Sequence, residues 1–419
     1  MRAARRTHSR RPDRMSLRTL ILALVLVLAT GCTTVKGWLS DDKAKASAPA
    51  PLVDINATLS PKASWTVDLG DSQSKLGLRQ RPAIDGDRLF VSNDSGRVLA
   101  IDINSGDTLW DSQVVKTGKQ GSRLFFWKRK ATEAGLTGGP GVGAGLVVVG
   151  GRNGEVVALD TETGAERWKT TVTSEVISTP LVHAGLVIVR SGDGRAFGLD
   201  VADGTRKWVF DRGLPNLSVR GNGSPVAGGE LVFLGYDDGA VIALRAADGQ
   251  RAWEQLIAQP DGRNELERLS DVDGEIQVGL SELYATSFRG QTMAITLSNA
   301  RPLWTRDVGS YGGLGMAADK VVLADNKGTV WALDRAGGTA MWKQEVLARR
   351  WLTTPAVQGN YAVVGDVQGY LHWINLDNGQ IEGRVRVDRS PILATPQVSP
   401  AGTLVVLTSN GKLKAYPQP

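Results

Sequence analysis

What the sequence lacks narrows its function before any motif is considered. It has one cysteine, so no disulfide can form within the chain, and packing alone must stabilise the fold in an oxidising compartment. Its three histidines, His8, His183 and His372, do not have the spacing of metal ligands. The sequence also has no nucleophile elbow and no phosphate-binding loop. These absences argue against an enzyme, and we expect no catalytic residue, no metal site and no cofactor.

The net positive charge of the chain comes from its N-terminal segment. Of the 49 basic and 43 acidic residues, seven arginines and Asp13 lie within residues 1–31, which leaves 42 of each sign in the rest of the chain. Nucleic-acid-binding proteins need a basic surface. We therefore expect no nucleic-acid partner.

Residues 1–31 have the features of a lipoprotein signal peptide. After the arginines, an apolar run from Leu20 to Ala29 has half the length of a membrane-spanning helix, so it is too short to remain in a bilayer. Small residues follow, ending at Gly31, and the next residue is the single cysteine, Cys32. This arrangement resembles the lipobox of bacterial lipoproteins, in which the chain is cleaved before the cysteine and the cysteine is acylated.

Cys32 is therefore the predicted lipidation site, carrying fatty acids such as palmitate. Acyl chains would hold the mature protein at a membrane without spanning it. Thr33 stands where lipoproteins retained at the inner membrane usually have Asp, so resemblance to that sorting pattern favours the outer membrane. Residues 32–62 are rich in Ala, Pro, Ser and Lys without periodicity, which predicts a flexible tether. Translation could start at Met1 or at Met15.

Residues 63–419 consist of one motif repeated eight times. The complete unit has an apolar strand, a turn ending in a marker glycine, a second strand, a polar turn and a final strand with tryptophan. A further short strand, marked by a proline, precedes several copies, at Pro180, Pro225, Pro355 and Pro396. The marker glycine and the tryptophan keep a spacing of 14 residues in six copies, at Gly96–Trp110, Gly154–Trp168, Gly194–Trp208, Gly239–Trp253, Gly290–Trp304 and Gly328–Trp342. The seventh copy has Gly383 where Trp is expected, and Trp373 where the others have a small residue. The eighth begins at Gly411 and stops before its last strand.

Four short strands in a repeat of about 40 residues are typical of a β-propeller blade. The stretch ASWTVDLG, from Ala63 to Gly70, supplies a tryptophan strand that the eighth copy lacks. We therefore predict an all-β, eight-bladed β-propeller of four-stranded antiparallel blades, closed between residues 63–69 and 403–416, with an N-terminal strand completing the C-terminal blade. The tryptophans are expected to wedge between adjacent blades.

The repeat AxDxxTGxxxW resembles the blade of pyrroloquinoline-quinone (PQQ)-type propellers. Together with the lipobox and the stretches Leu214–Pro225 and Glu265–Gly274, the chain resembles the BamB family, lipoproteins of the machinery that assembles β-barrels in the outer membrane of Gram-negative bacteria. This resemblance implies a non-catalytic scaffold subunit, held by lipid in the inner leaflet of the outer membrane and facing the periplasm. It implies docking on a BamA-like subunit and a role in folding and inserting outer-membrane proteins, with nascent outer-membrane proteins as further partners.

The same resemblance implies a partner-binding surface formed by Leu217, Val219, Arg220, Asp271 and Asp273. Both stretches extend connections between adjacent blades, so we expect them side by side on one face, with the apolar pair exposed and the charges setting the register. The alternative is structural: Arg220 pairs with one of the two aspartates and braces the loops.

Two other function classes remain open from the sequence. A quinoprotein dehydrogenase-like enzyme of this fold would be expected to have vicinal cysteines, which one cysteine cannot supply. A periplasmic ligand-binding propeller is the other alternative. A third insertion, Val115–Gly135, contains Phe125, Phe126 and Trp127 beside three basic residues. It could contact a partner, a client protein or lipid headgroups, or its aromatic side chains could pack under their own loop.

Overall fold

The computed structural model describes residues 48–70, 79–115, 135–213, 223–259, 270–288 and 290–419. These residues form 32 β-strands that pair into eight four-stranded antiparallel sheets, which confirms the predicted eight-bladed propeller. A search of the described residues found no helix with the length and apolar character needed to cross a membrane.

The strands follow the repeats seen in the sequence. The N-terminal strand is β1 (Trp65–Asp68), and blades one to four consist of β2 (Ala83–Asp85), β3 (Arg88–Ser92), β4 (Arg97–Asp102), β5 (Thr108–Gln113); β6 (Leu136–Gly143), β7 (Leu146–Gly151), β8 (Glu155–Asp160), β9 (Glu166–Thr171); β10 (Leu181–His183), β11 (Leu186–Arg190), β12 (Ala196–Asp200), β13 (Arg206–Phe210); β14 (Val226–Gly228), β15 (Leu231–Gly235), β16 (Ala240–Arg245) and β17 (Arg251–Leu256). Blades five to eight consist of β18 (Gln277–Val278), β19 (Glu282–Thr286), β20 (Thr292–Thr296), β21 (Pro302–Arg306); β22 (Leu314–Met316), β23 (Lys320–Ala324), β24 (Val330–Asp334), β25 (Ala340–Gln344); β26 (Ala356–Gln358), β27 (Tyr361–Gly365), β28 (Tyr370–Asn375), β29 (Ile381–Arg386); and β30 (Gln397–Val398), β31 (Leu404–Leu407), β32 (Lys412–Tyr416) with β1.

Blade eight joins the two ends of the repeat array. Strand β1 pairs antiparallel with β32, and its register places Trp65 opposite Ala415 and Val67 opposite Leu413. One apolar cluster then combines side chains of blades eight and one, among them Leu413 and Ile101. The predicted closure is therefore confirmed, because the N-terminal strand supplies the fourth strand of blade eight.

The blades are held together by apolar layers between neighbouring sheets. In the described chain, eight clusters of buried side chains each combine residues from two successive blades. The first strand of each blade contacts the first strand of the next, from β2 and β6 to β26 and β30, so these strands surround the ring centre. The connections that precede them consequently meet at one opening of the ring.

The tryptophans wedge between blades as the sequence predicts. Each described one in the repeat position donates its indole N–H to a backbone carbonyl of the following blade, as Trp110 does to Thr161 at 2.9 Å. The other donors are Trp65, Trp168, Trp208, Trp253, Trp304 and Trp342. Such contacts combine a large buried ring with a satisfied polar group. The tryptophans therefore have a structural role.

The packed unit begins earlier than the sequence indicated. We expected residues 32–62 to be tether, whereas the compact unit starts at Ala50. The amide of Ala50 donates to the carbonyl of Ala348, and the amides of Thr58 and Leu59 both donate to the carbonyl of Glu382. We call residues 50–61 the strap.

Candidate partner-binding site

The structure describes two of the five residues predicted for partner binding. Asp271 and Asp273 lie in the connection that precedes β18, between blades four and five. Leu217, Val219 and Arg220 lie outside the described residues. The same is true of Cys32 and of the aromatic insertion at residues 125–130.

The two inter-blade connections do meet. At Gly223, the first described residue after that gap, a Cβ would lie 3.5 Å from the Cα of Asp273 and 3.3 Å from the carbonyl oxygen of Val272. The connection before blade four therefore passes directly over the connection before blade five. This is the juxtaposition expected from the equivalent positions of the two stretches.

Backbone contacts fix the segment that carries the two aspartates. Val272 is fully buried between them, and its amide donates to the carbonyl of Tyr236 at 3.0 Å. On the other side, the amide of Phe288 donates to the carbonyl of Asp271. Gly235 allows this close approach, because a Cβ there would lie 2.1 Å from the Val272 carbonyl oxygen. The segment is consequently held by blades four and five together.

The aspartates are buried, which differs from the expectation that these charges lie on exposed loops. Asp271 is 1% exposed, and the side chain of Asp273 is 11% exposed. They lie beside Asp237, in the turn between β15 and β16, and one carboxylate oxygen from each of the three falls within 4.8 Å of the others. We call these residues, with Arg190, the acidic cluster.

Arg190, at the end of β11, supplies a positive charge to the acidic cluster. Its Nη2 donates to Oδ1 of Asp237 at 2.5 Å, and its Nη1 lies 3.9 Å from Oδ1 of Asp273. The guanidinium also lies over the ring of Tyr236, 4.9 Å from the centroid. Its side chain is only 7% exposed. Among the described residues, this guanidinium therefore pairs with Asp237 and lies close to Asp273.

Asp273 is the least satisfied member of the acidic cluster. Neither of its carboxylate oxygens accepts a hydrogen bond from a described residue, although both are buried. Burial raises the pKa of Asp273 to about 7, with the charges of Asp237 and Asp271 adding to the effect and Arg190 opposing it. A buried carboxylate without donors is unfavourable for the isolated protein.

The acidic cluster borders the central opening of the ring. A cavity of about 100 Å³ lies there, lined by Asp273 together with residues of the inner strand β6 and of the connections before the other seven inner strands. On its wall, Arg81 pairs with Glu275 at 3.1 Å, and the guanidinium of Arg79 lies 4.7 Å from the ring centroid of Tyr311. Trp351 lies at the same opening and is 66% exposed. Charged and aromatic groups therefore surround the opening next to the acidic cluster.

Carboxylate oxygens could in principle hold a divalent cation. Among the described residues, Asp237, Asp271 and Asp273 are the one set of acidic, histidine or cysteine side chains that lie close enough together to do so. Arg190 already donates to Asp237, so a positive charge occupies part of the coordination space. The arrangement suits recognition of a guanidinium or ammonium group better than capture of a metal ion.

The two histidines of the described chain have structural surroundings. His183 contacts the carbonyl of Gly229 at 2.8 Å and is half-buried. His372 is fully buried and contacts a carboxylate oxygen of Asp366 at 3.0 Å. Neither lies in the acidic cluster.

These features define a PQQ-type eight-bladed propeller with a buried charged cluster on its inter-blade connections. A family model described as outer membrane protein assembly factor BamB matches residues 55–126, 116–344 and 327–418. The chain belongs to this family, which confirms the resemblance noted from the repeat and the two loop stretches.

Individual relatives agree with this assignment. Outer membrane protein assembly factor BamB of Xanthomonas campestris is 45% identical over 405 residues, covering 96% of this chain and 98% of the relative. The protein of the same name from Escherichia coli K12 is 34% identical over 399 residues, covering 95% and 98%. The crystal structure of BamB from Moraxella catarrhalis superposes with a TM-score of 0.74 at 27% identity, covering 85% of this chain and all of that one.

Dehydrogenases share the fold. A quinohemoprotein alcohol dehydrogenase from Comamonas testosteroni has a TM-score of 0.65 at 14% identity, covering 85% of this chain and 76% of the enzyme. At that identity the likeness shows a common propeller architecture and carries no inference about activity.

Proposed function

We propose that this protein is a non-catalytic scaffold subunit of the outer-membrane β-barrel assembly machinery. Lipid on Cys32 holds it at the periplasmic side of the outer membrane. It docks on a BamA-like subunit through the acidic cluster and the neighbouring stretch with Leu217, Val219 and Arg220. Docking places the rigid propeller beside the assembly site and so aids folding and insertion of outer-membrane proteins.

The observation that carries this proposal is the state of Asp273. Its carboxylate is buried beside Asp237 and Asp271, accepts no hydrogen bond from the described residues, and has Oδ1 3.9 Å from Nη1 of Arg190. A cationic side chain of the partner would complete these interactions, and apolar contacts from Leu217 and Val219 would exclude water around them. The proposal therefore combines a charged centre with an apolar surround.

Capture of the partner's periplasmic domains by the detergent-solubilised full chain tests the site. Leu217→Arg, Arg220→Glu and Asp273→Asn should each reduce capture about tenfold or more, because each removes a central contact. The matched control is Asp111→Asn, which breaks an exposed pair with Arg97 on blade one and should leave capture unchanged. Unchanged capture by all three site variants would assign the docking site elsewhere.

Two further measurements test the remaining parts of the proposal. Cys32→Ser should move the protein from the membrane fraction to the soluble periplasmic fraction, because the acyl chains would be lost. Incubation of the purified protein with PQQ and calcium should give no dye reduction with alcohol substrates. Retention of Cys32→Ser at the membrane would contradict the lipid anchor, and dye reduction would contradict the non-catalytic role.

A further inference from the structure

Blade seven departs from the other blades at one position. In seven blades a small residue on the third strand stands opposite a tryptophan on the fourth, as in Ala100–Trp110, Ala158–Trp168, Gly198–Trp208, Ala243–Trp253, Ala294–Trp304, Ala332–Trp342 and Ala415–Trp65. Blade seven reverses the pair, with Trp373 on β28 opposite Gly383 on β29. Trp373 is fully buried and donates to the side-chain carbonyl of Gln358 at 2.8 Å. The site that a tryptophan occupies elsewhere therefore has no side chain of its own.

The strap fills this site. A Cβ at Gly383 would lie 3.1 Å from the Cβ of Leu59 and 3.3 Å from the Cγ of Pro61. Leu59 also packs on the apolar cluster between blades seven and eight, and Ile55 packs on the cluster between blades six and seven. Two side chains of the strap thus supply apolar contacts on either side of blade seven.

The strap is also bound through its backbone. The amides of Thr58 and Leu59 both donate to the carbonyl of Glu382 at 3.0 Å, on the outer strand of the blade. The hydroxyl of Thr58 donates to the carboxylate of Glu382 at 3.0 Å. Both amides share this one carbonyl, so the backbone bonds hold the strap at a single position of the outer strand.

Two arginines bind carbonyl groups of the strap. Nη1 of Arg350 donates to the carbonyl of Ala50 at 2.7 Å, and Nη1 of Arg384 donates to the carbonyl of Val53 at 2.8 Å. Residues of the propeller also bind both guanidinium groups. Nε of Arg350 donates to Asp366 at 2.7 Å, while Nε of Arg384 donates to Nδ1 of His372 at 3.2 Å. Both donors are therefore also held by hydrogen bonds that do not involve the strap.

We propose that blade seven carries a binding groove for an extended peptide and that residues 50–61 are its resident ligand. The groove takes an extended segment with two carbonyls spaced for Arg350 and Arg384 and with a Leu-x-Pro sequence that fills the position above Gly383. Reversal of the Trp–small pair creates this groove, since a tryptophan at position 383 would occupy the same volume.

The groove has a consequence for the tether, and that consequence rests on the proposed lipid anchor at Cys32. With the strap bound, 18 peptide units separate Cys32 from Ala50, which reach at most about 60 Å. With the strap released, the free segment extends to Ala63 and reaches about 100 Å. Occupancy of the groove thereby sets the maximum reach of the tether between Cys32 and the propeller.

The test uses the detergent-solubilised full chain and a labelled synthetic peptide of residues 50–62. Leu59→Asp should release the strap, so the amides of Thr58 and Leu59 exchange faster with deuterium, and the emptied groove should bind the peptide at least tenfold more tightly than wild type does. Ala57→Asp, at an exposed position of the strap, is the matched control and should behave as wild type. Absence of peptide binding by Leu59→Asp, or equal binding by wild type, would overturn the proposal.

A second variant distinguishes release of the strap from unfolding of the protein. Gly383→Val should also expose the strap to exchange, because its side chain meets Leu59 and Pro61, but it should not bind the peptide, since the groove is filled. Equal peptide binding by Gly383→Val and Leu59→Asp would place the peptide elsewhere and reject the groove. None of these readouts involves the partner or the lipid. A result that rejects the groove therefore leaves the proposed function intact, and a result that rejects the proposed function leaves the groove intact.

Discussion

The indole N–H of Trp65 donates to the backbone carbonyl of Ile103 at 2.8 Å. Trp65 lies on the N-terminal strand of blade eight, and Ile103 lies in the second turn of blade one, so this bond connects the last blade to the first. Gly106, with a φ of +83°, completes the contact, because a Cβ there would lie 2.8 Å from the Trp65 ring. The ring is thus closed by strand pairing within blade eight and by a tryptophan between blades eight and one.

Removal of this side chain should weaken the whole propeller. We expect Trp65→Ala to lower the free energy of unfolding by about 2–4 kcal/mol, because a large, partly buried ring and its hydrogen bond are lost. The measurement is chemical denaturation followed by circular dichroism. Trp351→Ala is the control, since Trp351 is 66% exposed and its loss should change the free energy by about 0.5 kcal/mol or less. Equal effects of the two substitutions would contradict closure through Trp65.

Asp273→Asn should make the protein more stable at pH 8. Burial raises the pKa of Asp273 to about 7, whereas an unfolded aspartate has a pKa near 3.9. Between these values the folded chain binds the extra proton, so the stability of wild type falls as the pH rises towards 7. We expect a gain on the order of 1–3 kcal/mol in the free energy of unfolding at pH 8. Asp111→Asn should give no gain, and a less stable Asp273→Asn would show that the carboxylate is well satisfied.

His372 should make stability fall at acidic pH. Burial lowers the pKa of His372, with Asp366 opposing the effect and Arg384 and Arg350 adding to it. Tyr370 lies beside the ring, and Arg386 over Tyr370, while Asp54 of the strap acts on Arg384. Because the pKa of His372 is lower in the folded chain than in the unfolded chain, its contribution to stability is complete above the unfolded pKa of about 6.5 and is lost as the pH falls below it.

The experiment compares wild type with His372→Gln at pH 7.5 and pH 5.5. Wild type should lose more free energy of unfolding between these values than the variant does, with an upper limit of about 1.4 kcal/mol for one imidazole. The contribution of Asp273 has the opposite sign and is common to both proteins, so it cancels. His183→Gln controls for loss of an imidazole elsewhere. A pH dependence that is unchanged in His372→Gln would contradict this account.

Gly235 should be required for the geometry of the acidic cluster. In Gly235→Ala the new Cβ would meet the Val272 carbonyl oxygen at 2.1 Å, so the segment with Asp271 and Asp273 must shift. We expect a loss of stability of about 1–3 kcal/mol and weaker partner capture. Gly213→Ala is the control, because a Cβ there meets nothing within 4 Å. A wild-type melting curve for Gly235→Ala would show that the segment adapts freely.

The fold could be predicted from the sequence because the repeat places one glycine and one tryptophan at fixed positions in each blade. The spacing locates the fourth strand of each blade and the turn that precedes the third strand. The missing last strand of the eighth copy predicts that the strand with Trp65 pairs with the C-terminal strand. The strap could not be predicted. Residues 50–61 have no periodicity, and their partners, such as Glu382, lie far away in the sequence.

The candidate site was predicted only in part. Asp271 and Asp273 stand out in an inserted loop, but Asp237 belongs to an Asp-Asp-Gly turn that is ordinary in a hairpin, and Arg190 ends an apolar strand. Only the register between blades brings Arg190 to Asp237. The sequence does show that Trp373 and Gly383 break the repeat. Only the pairing of β28 with β29 in the structure shows that the two residues stand opposite each other.

The central claim is that the buried carboxylate of Asp273 receives a cationic group of the partner. Titration calorimetry with the periplasmic domains of the BamA-like subunit at pH 8 measures this directly. Asp273→Asn should bind about tenfold or more weakly than wild type while being the more stable protein. An affinity equal to that of wild type would show that Asp273 plays no part in docking.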